Sequence, residues 1–459
     1  MGRRTQLGLA LTAAVVTAAA GAGVAAARGP GTARLGPLLR VQTPGGTQLA
    51  CPFESEPEIA RTAAGTWVAY NDDSGCPLVA TKLRLTGVQL LSPSGKRRYI
   101  QLPEAWDRSG FYSGDPDLAP DPSGDGGVLL ASLIENEQGL QVGVVQIHPD
   151  GRTRLLPSPS LGSGDDKEYL ATDLGRRSRF RGRTYLVWDD IAHSRITIRT
   201  YDGRRWRPAI ALGPVGGQPD VAVAPNGDVA VAFSTTTGVS VRVSRDGGAS
   251  FDDPVHVLKG VGPGRTDPSC PLRPTIAQRQ RATKSPRVAY DRAGGLHVVA
   301  ALNTSDVLGA MDGSVGVATG GEGRILHAVS TDRGDTFSRP EHVGDAETQE
   351  VQWAPAIAAL PTGGVAVSYL QTADTTSYDA LVAVRPGGRF RAPIRLSEGH
   401  GPLPPAQEAV GNSNCYGIGD YTGLAGTRDG VVAAWPTTVG VQTSFLDSDI
   451  AVREVHLSS

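Results

Sequence analysis

The chain has 459 residues, and its 44 lysines and arginines nearly balance 46 aspartates and glutamates, which gives a formal net charge of -2. This slightly acidic balance argues against nucleic acid or an anionic membrane as the partner. With 59 glycines and 33 prolines, and few long apolar patterns of helical period, the sequence predicts an all-β protein with many turns.

The first 27 residues have the composition of an export signal. Arg3 and Arg4 precede an apolar run, Leu7 to Ala27, that ends in three alanines, and a basic start with a small-residue end is typical of a cleaved leader. The paired arginines leave the twin-arginine route as an alternative to Sec export. No other stretch approaches the ~20 apolar residues that a membrane span requires. We therefore expect residues 28–459 to form a secreted, extracellular, monomeric protein of one domain.

The chain contains four cysteines: Cys51, Cys76, Cys270 and Cys415. In an exported protein this number predicts two disulfides. Cys51 and Cys76 flank one short segment, which leaves the other two to pair across the fold; the two remaining connectivities stay open. The cysteines lack CxxC spacing and the histidines are scattered, so the sequence predicts no zinc site and no cofactor.

A short strand, a turn and a longer apolar strand recur seven times. The first strands are predicted at Pro57–Ala60, Pro116–Ala119, Glu168–Ala171, Pro219–Ala222, Pro286–Ala289, Pro355–Ala358 and Thr422–Ala425. The second strands are predicted at Trp67–Tyr70, Val128–Leu133, Tyr185–Trp188, Val229–Phe233, Leu296–Leu302, Val365–Leu370 and Val431–Trp435. A repeat of about 50 to 70 residues built from short strands is typical of a β-propeller. We predict one propeller of seven four-stranded blades, with six blades as the alternative.

The seventh repeat is too short to complete its own blade. After Trp435 there is room for one further strand, Asp449 to Leu457, before the chain ends. A three-stranded blade would leave an exposed sheet edge, which folded proteins avoid. Residues 34–43, between the leader and the first repeat, are predicted to supply the missing strand and so to close the ring.

Two octets share the pattern Ser-x-Asp-x-Gly-x-(Ser/Thr)-Phe. One contains Ser244, Asp246, Gly248 and Phe251, and the other contains Ser330, Asp332, Gly334 and Phe337. The pattern predicts a tight hairpin turn in which the aspartate accepts backbone hydrogen bonds, the glycine adopts a positive φ and the phenylalanine packs beneath the turn. The octets resemble the Asp-box (BNR) repeat of the secreted bacterial sialidase-like β-propeller family. That repeat is structural, so the resemblance implies a fold and leaves catalysis open.

In a four-stranded blade, the loops that enter the first strand and leave the second strand lie on one face, around the channel. We call this face the mouth. Acidic residues stand at these entries: Glu56, Asp115, Asp166, Asp220, Glu350 and Asp420. Converging carboxylates raise one another's pKa or attract a cation, so the sequence leaves open whether a divalent ion binds at the mouth. The catalytic candidates are Asp115, Asp166, Glu350 and Asp420, with Tyr421 beside the last, although any one acid is as readily a turn residue.

For a true sialidase, the resemblance implies three arginines that grip the sugar carboxylate, a tyrosine nucleophile paired with a glutamate, and an aspartate acid/base. The first of these arginines belongs to an Arg-Ile-Pro segment, where this chain has the acidic stretch Cys51 to Pro57. Arginines cluster before the fifth repeat at Arg265, Arg273, Arg279, Arg281 and Arg287, in contexts unlike the family's triad. Trp188, Trp353 and Tyr421 are candidate sugar platforms, or else core residues.

The sequence therefore predicts a secreted propeller that engages a glycan or another polar extracellular ligand at the acidic mouth. The alternative is an exo-glycosidase of sialidase type that uses paired carboxylates. A third possibility is a cell-wall scaffold that only presents its rim.

Overall fold

The Val-, Ala- and Leu-rich runs of the repeats form seven antiparallel sheets, which stand around a central channel as the blades of a β-propeller in the computed structural model. The structure describes residues 33–41, 54–72, 85–106, 110–260, 284–303, 323–345, 348, 350–374, 377–402, 419–439 and 448–457. The four cysteines, the predicted leader and four of the five clustered arginines (all but Arg287) lie outside these ranges.

Apart from the two N-terminal strands, each blade is built from consecutive strands of the chain. The N-terminal strands are β1 (Ala33–Leu35) and β2 (Leu39–Val41). Blade 1 contains β3 (Glu54–Thr62), β4 (Gly65–Asp72), β5 (Thr86–Leu91) and β6 (Arg97–Tyr99). Blade 2 contains β7 (Phe111–Tyr112), β8 (Asp117–Pro120), β9 (Val128–Asn136), β10 (Gly139–Ile147) and β11 (Thr153–Leu155). Blade 3 contains β12 (Asp165–Thr172), β13 (Thr184–Asp190), β14 (Arg195–Tyr201) and β15 (Ile210–Pro214), with one 3₁₀ turn at Ile191–His193.

Blade 4 contains β16 (Asp220–Val223), β17 (Val229–Thr235), β18 (Gly238–Ser244) and β19 (Val255–Lys259). Blade 5 contains β20 (Arg287–Tyr290), β21 (Leu296–Asn303), β22 (Gly323–Ser330) and β23 (Glu341–His342). Blade 6 contains β24 (Gln352–Ala359), β25 (Val365–Thr372), β26 (Ser377–Arg385), β27 (Ile394–Arg395) and β28 (Gly401–Pro402). Blade 7 contains β29 (Gly423–Gly426), β30 (Gly430–Thr437) and β31 (Asp449–Leu457).

The two ends of the chain meet in blade 7. Strand β31 pairs on one side with β30 and on the other with both N-terminal strands, with Arg34 opposite His456 and Arg40 opposite Ala451. The first strand of every blade contacts that of the next, and β29 contacts β3. The predictions of seven blades and of closure by the N-terminus are both confirmed.

The hydrophobic core lies between neighbouring blades, because each inner strand is covered on both faces. Between blades 6 and 7, Trp353, Leu370, Leu424 and Trp435 share one buried cluster. A strand that is buried on both faces consists of a continuous run of apolar residues. This is why the second strands could be predicted from the sequence. Among the residues that the structure describes, no helix is long and apolar enough to cross a membrane.

The first octet forms a turn between the third and fourth strands of blade 4. The Ser244 hydroxyl donates to Asp246 Oδ1 at 2.8 Å and accepts from the N–H of Gly248 at 2.8 Å. Asp246 also accepts from the N–H groups of Ala249 and Ser250, each at 2.9 Å. Gly248 has a φ of 79°, and Phe251 packs against the cluster between blades 3 and 4. The side chains therefore hold this turn in one conformation.

The second octet forms the same turn in blade 5. Ser330 donates to Asp332 Oδ1 at 2.7 Å and accepts from the N–H of Gly334 at 2.8 Å, and Phe337 packs between blades 4 and 5. Arg333 also forms a bidentate pair with Asp228 of blade 4, with both hydrogen bonds at 2.7 Å. Turns of this kind thus join adjacent blades on the face opposite the mouth.

Candidate functional site

The entry to the first strand repeats an unusual backbone conformation around the ring. A non-glycine residue with positive φ precedes the strand or lies near its start in six blades: Glu56 (50°), Asp115 (48°), Lys167 (53°), Gln218 (45°), Ser285 (38°) and Ala354 (48°). Such conformations are uncommon outside glycine and cluster at functional sites. In blades 1–5 these residues surround Lys167 or line the cavity beside it, and we call them the upper level of the channel. The residues two positions later are grouped around the Arg287 guanidinium and form what we call the lower level: Glu58, Asp117, Tyr169, Asp220 and Arg287 itself.

A buried lysine organises the upper level. The ammonium of Lys167 lies 2.8 Å from Asp115 Oδ2, 3.3 Å from Asp420 Oδ2, and 5.6 Å from the centre of the Tyr421 ring. The lysine side chain is 8% exposed and that of Asp420 is 6% exposed. Glu56 completes the group, since it accepts from the N–H of Asp420 at 2.8 Å. Blades 1, 2, 3 and 7 thus meet at one ammonium.

The protonation states of this group differ. Burial disfavours the charged form of Lys167, yet the surrounding carboxylates raise its pKa well above the usual value. Burial would raise the pKa of Asp115, but the Lys167 ammonium and hydrogen bonds, one of them from Glu56, hold it below its usual value. Burial raises the pKa of Glu56 well above its usual range, against the attraction of Lys167. The upper level therefore favours the charged forms of Lys167 and Asp115 and disfavours ionisation of Glu56.

A buried arginine organises the lower level. Arg287 Nη2 donates to Glu58 Oε1 at 2.7 Å. Its guanidinium carbon lies 4.2 Å from the centre of the Tyr169 ring and 5.4 Å from that of Tyr421. The two rings meet edge to face with centres 6.0 Å apart. Cation–π contact and the ion pair together fix the guanidinium in the channel.

Carboxyl groups around Arg287 are hard to ionise. Burial raises the pKa of Glu58 to about 8 and that of Asp117 to about 7, although Arg287 opposes both shifts. Burial also raises the pKa of Asp220, whose carboxylate accepts from the N–H groups of Val221 and Val288, each at 2.8 Å. Burial thus raises the pKa of all three carboxyl groups at the lower level, and Arg287 opposes each shift.

Glu168 is one of several buried acids in blade 3. It stands where five other blades have proline, and it is 1% exposed. Among the described residues, neither of its carboxyl oxygens has a hydrogen-bond partner. Burial, with the nearby charge of Asp115, raises its pKa well above the usual value. Ionisation of Glu168 is therefore disfavoured in the folded protein.

A small cavity lies between the two levels. It is lined by Lys167, Tyr169, Gln218, Ser285, Pro286, Arg287, Asp420 and Tyr421, and its volume is about 10 Å³. A single water needs roughly 10–15 Å³ measured in this way. The cavity therefore admits one water-sized group, such as a hydroxyl, and no sugar ring.

The structure brings together some of the predicted catalytic residues. Asp115, Asp420 and Tyr421 all surround Lys167. Asp166 stays at the entry of blade 3, where its carboxylate accepts from the N–H of Lys167 at 2.9 Å. Glu350 lies apart, at the entry of blade 6, and accepts a hydrogen bond from the Thr372 hydroxyl there.

The candidate sugar platforms are core residues. Trp188 is fully buried and donates to Asp165 at 2.9 Å. Trp353 and Tyr421 are 2% and 3% exposed. None of the three rings offers a face for stacking a sugar, since their neighbours in the blades already cover them.

Sequence reasoning named Asp220 and Arg287 but did not bring them together, and it missed the rest of the lower level. Glu58, Asp117, Tyr169 and Arg287 occupy the same position of their repeats, two residues after the positive-φ residue. The signal was present, because this position precedes the two apolar residues of each predicted first strand. Within the described residues, no group of three or more carboxylates, imidazoles or thiols is arranged to hold a metal ion.

No family model matches this chain, and no curated protein matches its sequence. Among solved structures, the polysaccharide lyase Uly1 superposes with a TM-score of 0.49 at 9% identity, covering 86% of this chain and 89% of that one. The NanB sialidase of Streptococcus pneumoniae gives 0.43 at 10% identity, covering 91% and 70%. The alpha-L-arabinanase of Penicillium chrysogenum gives 0.42 at 11% identity, covering 73% and 94%. At such identities the ligand of this chain has to follow from its own residues.

Proposed function

We propose that this protein is a secreted propeller that binds a neutral polyhydroxylated ligand, a glycan in the first place, at the mouth of its channel without hydrolysing it. The cavity of about 10 Å³ carries this proposal. Gln218 and Ser285 line it beside Lys167 and Asp420, so donors and acceptors face a space that fits one hydroxyl. Such convergent polar groups are what fixes the orientation of a bound ligand.

The charges of the site favour a neutral ligand. Lys167 is engaged by Asp115 and Asp420, and Arg287 is engaged by Glu58. A ligand carboxylate would therefore have to displace a protein carboxylate from one of these two cations. Sialic acid recognition demands free arginine forks, which these ion pairs do not offer.

The geometry of Asp115 and Asp420 favours binding over hydrolysis. Their oxygens lie 2.8 and 3.3 Å from one nitrogen, so they are closer together than the ~6.5–9.5 Å of an inverting glycosidase. A retaining enzyme needs one carboxylate free to attack the sugar, whereas Lys167 binds both. The cavity also has no room for a sugar ring.

The exo-glycosidase alternative has one observation in its favour. Glu56, whose pKa is raised, interacts with Asp115, whose pKa is lowered. Two neighbouring carboxyl groups whose pKa values are pushed apart are the parts of a general acid/base pair. Both groups are buried, so the pair would act only on a substrate that reaches it and separates the two groups.

The test combines binding with turnover. The purified mature protein is applied to a glycan array, and a positive glycan is titrated by calorimetry into the wild type, Gln218→Ala and the control Gln138→Ala, an exposed residue of blade 2. We expect a loss of affinity of tenfold or more for Gln218→Ala and none for the control. Equal affinities for all three proteins, or no array signal, would refute the site.

The same preparations are incubated with fluorogenic sialosides, neutral glycosides and uronic-acid glycosides. We expect no turnover. Hydrolysis that Asp420→Asn abolishes would establish the glycosidase alternative, and the responding substrate would name its class.

A further inference from the structure

The face opposite the mouth carries a cluster of arginines on blade 3. The turn between β12 and β13, residues 173–183, is the longest of the seven turns that join a first strand to a second strand. It contains five arginines: Arg176, Arg177, Arg179, Arg181 and Arg183. Among them, Arg176, Arg177 and Arg181 are exposed, and Arg179 and Arg183 have part of their surface in contact with the Phe180 ring. We call residues 173–183 the arginine loop.

Hydrogen bonds within the arginine loop hold its shape. The Asp173 carboxylate accepts from the N–H of Gly175 at 3.0 Å and from the Ser178 hydroxyl. That hydroxyl oxygen accepts in turn from the N–H of Phe180 at 3.0 Å. At the base, the N–H of Asp173 donates to the carbonyl of Arg183 at 2.8 Å. The one acid of the loop is thus used internally, to fold it.

The arginine loop is also packed against blade 4. The Arg183 guanidinium donates to the Gly247 carbonyl at 2.7 Å, and a Cβ at Gly247 would lie 2.5 Å from the Phe180 ring. A Cβ at Gly175 would lie 2.5 Å from the carbonyl oxygen of Pro225. Backbone contacts this close leave the loop little freedom, so it would lose little conformational entropy when a ligand binds.

The charge of the arginine loop is not neutralised. Within the described parts of the chain, no carboxylate lies within ion-pair distance of any of its five arginines, whereas arginines such as Arg195, Arg287 and Arg385 each have one. Arg204 and Arg205 extend the cluster, because they are exposed on the β14–β15 turn and β13 pairs with both β12 and β14. Clustered like charges repel, and an anionic ligand would relieve that repulsion.

We propose that the arginine loop is a binding site for an anionic polysaccharide, a chain whose carboxylate or sulfate groups recur at short spacing. The guanidinium fork binds such oxyanions through paired hydrogen bonds. The arginines of this one turn place several guanidinium groups side by side, so one chain can bind several of them at once.

Nucleic acid fits this surface less well. The guanidiniums of Arg179 and Arg183 both lie over the Phe180 ring, with their central carbons 4.7 and 4.5 Å from its centre. A base would have to displace these contacts to stack on the ring, as single-strand binders require.

The experiment uses the whole mature protein and two labelled probes, dextran sulfate and polygalacturonate, with uncharged dextran as the blank. Binding is followed by fluorescence anisotropy over a salt series. The loop variant is R176Q/R177Q/R179Q/R181Q. The matched control is R292Q/R339Q/R389Q/R391Q, whose arginines lie on other turns of the same face and are outside every ion pair of the described residues. Both variants lose the same number of charges.

We expect the wild type and the control to bind at least one anionic probe, and the loop variant to bind it at least tenfold more weakly, with a shallower dependence on salt. The probe that binds more tightly identifies sulfate or carboxylate as the group recognised. No binding by the wild type, or an equal loss in both variants, would overturn the proposal. Tighter, loop-dependent binding of duplex DNA would assign the surface to nucleic acid instead. If the loop variant melts early, R176Q/R177Q decides, because it keeps Arg181, which donates to the Leu174 carbonyl at 2.6 Å, and Arg179, which lies over the Phe180 ring.

Discussion

Replacing Lys167 with methionine tests whether the ammonium holds the upper level together. Methionine keeps the length of the side chain and removes its charge, which leaves the carboxylates of Asp115 and Asp420 facing each other in a buried site. Removing one partner of a buried ion pair costs about 3–5 kcal/mol, because the remaining charge is uncompensated. We expect the free energy of unfolding of Lys167→Met to fall by about this amount at pH 7.5.

The loss should depend on pH. In the wild type the pKa of Asp115 is lowered because Lys167 and hydrogen bonds outweigh burial, so its contribution is present above the unfolded pKa of ~3.9 and is lost as the pH falls through the folded value. In the variant only the hydrogen bonds from Glu56 and Asn71 oppose burial, so the folded pKa of Asp115 rises and the cost of burying its charge falls as the pH is lowered. The raised pKa of Lys167 itself matters only above ~10.4. The difference between the two proteins should therefore narrow as the pH falls from 7.5 to 4.5.

Urea unfolding followed by tryptophan fluorescence at both pH values measures this difference. Lys259→Met is the control, because Lys259 is exposed and such substitutions change stability by less than about 0.5 kcal/mol. A loss below about 1 kcal/mol for Lys167→Met at pH 7.5, or a loss that is the same at pH 4.5, would refute the role assigned to the ammonium.

Three further outcomes are expected. Asp246→Ala removes the acceptor of four hydrogen bonds in its turn, and the free energy of unfolding measured in urea should fall by about 1–2 kcal/mol. These bonds outweigh burial and lower the pKa of Asp246 to about 2, so a loss of stability that persists below pH 2 would contradict the role given to the carboxylate. Burial raises the pKa of Glu58 to about 8 and of Asp117 to about 7, so their contribution to folding stability is complete below the unfolded pKa of ~4 and is lost as the pH rises through 7–8. The melting temperature of E58Q/D117N should therefore change less between pH 6 and 9 than that of the wild type. Burial lowers the pKa of His297 to about 4, so the stabilising effect of its neutral ring is present above the unfolded pKa of ~6.5 and is lost towards pH 4. The ring-proton resonances of His297 should not shift between pH 5.5 and 8, and a titration midpoint near 6.5 would contradict its burial as a neutral ring.

The architecture could be predicted because each blade encodes its strands locally. The second strand of blade 4 was expected at Val229–Phe233 and spans Val229–Thr235, and the last strand was expected and found at Asp449–Leu457. Strands covered on both faces need unbroken apolar runs, and these recur at a regular period. The pairing of residues 33–41 with β31 followed from the missing strand of blade 7.

The site could be predicted only in part, because its contacts are distant in sequence. Asp115 and Asp420 were found since they directly precede a first strand. Glu350 stands at the comparable place but bonds within its own blade. Arg287 could be grouped only with the arginines before the fifth repeat, whereas its partner, Glu58, is 229 positions away. No local sequence pattern indicates a contact between residues so far apart in the chain.

The charges of the channel are not required by the fold, and blade 6 shows why. At both levels its positions are alanine, Ala354 and Ala356, and the first of these adopts the same left-handed conformation as Lys167. An alanine therefore satisfies the backbone and the packing at these positions. Buried ion pairs are often less stabilising than well-packed apolar residues, so stability alone does not explain Lys167 or Arg287. Both cations line the same small cavity, and the ligand hydroxyl that we propose to bind there supplies a reason for keeping them.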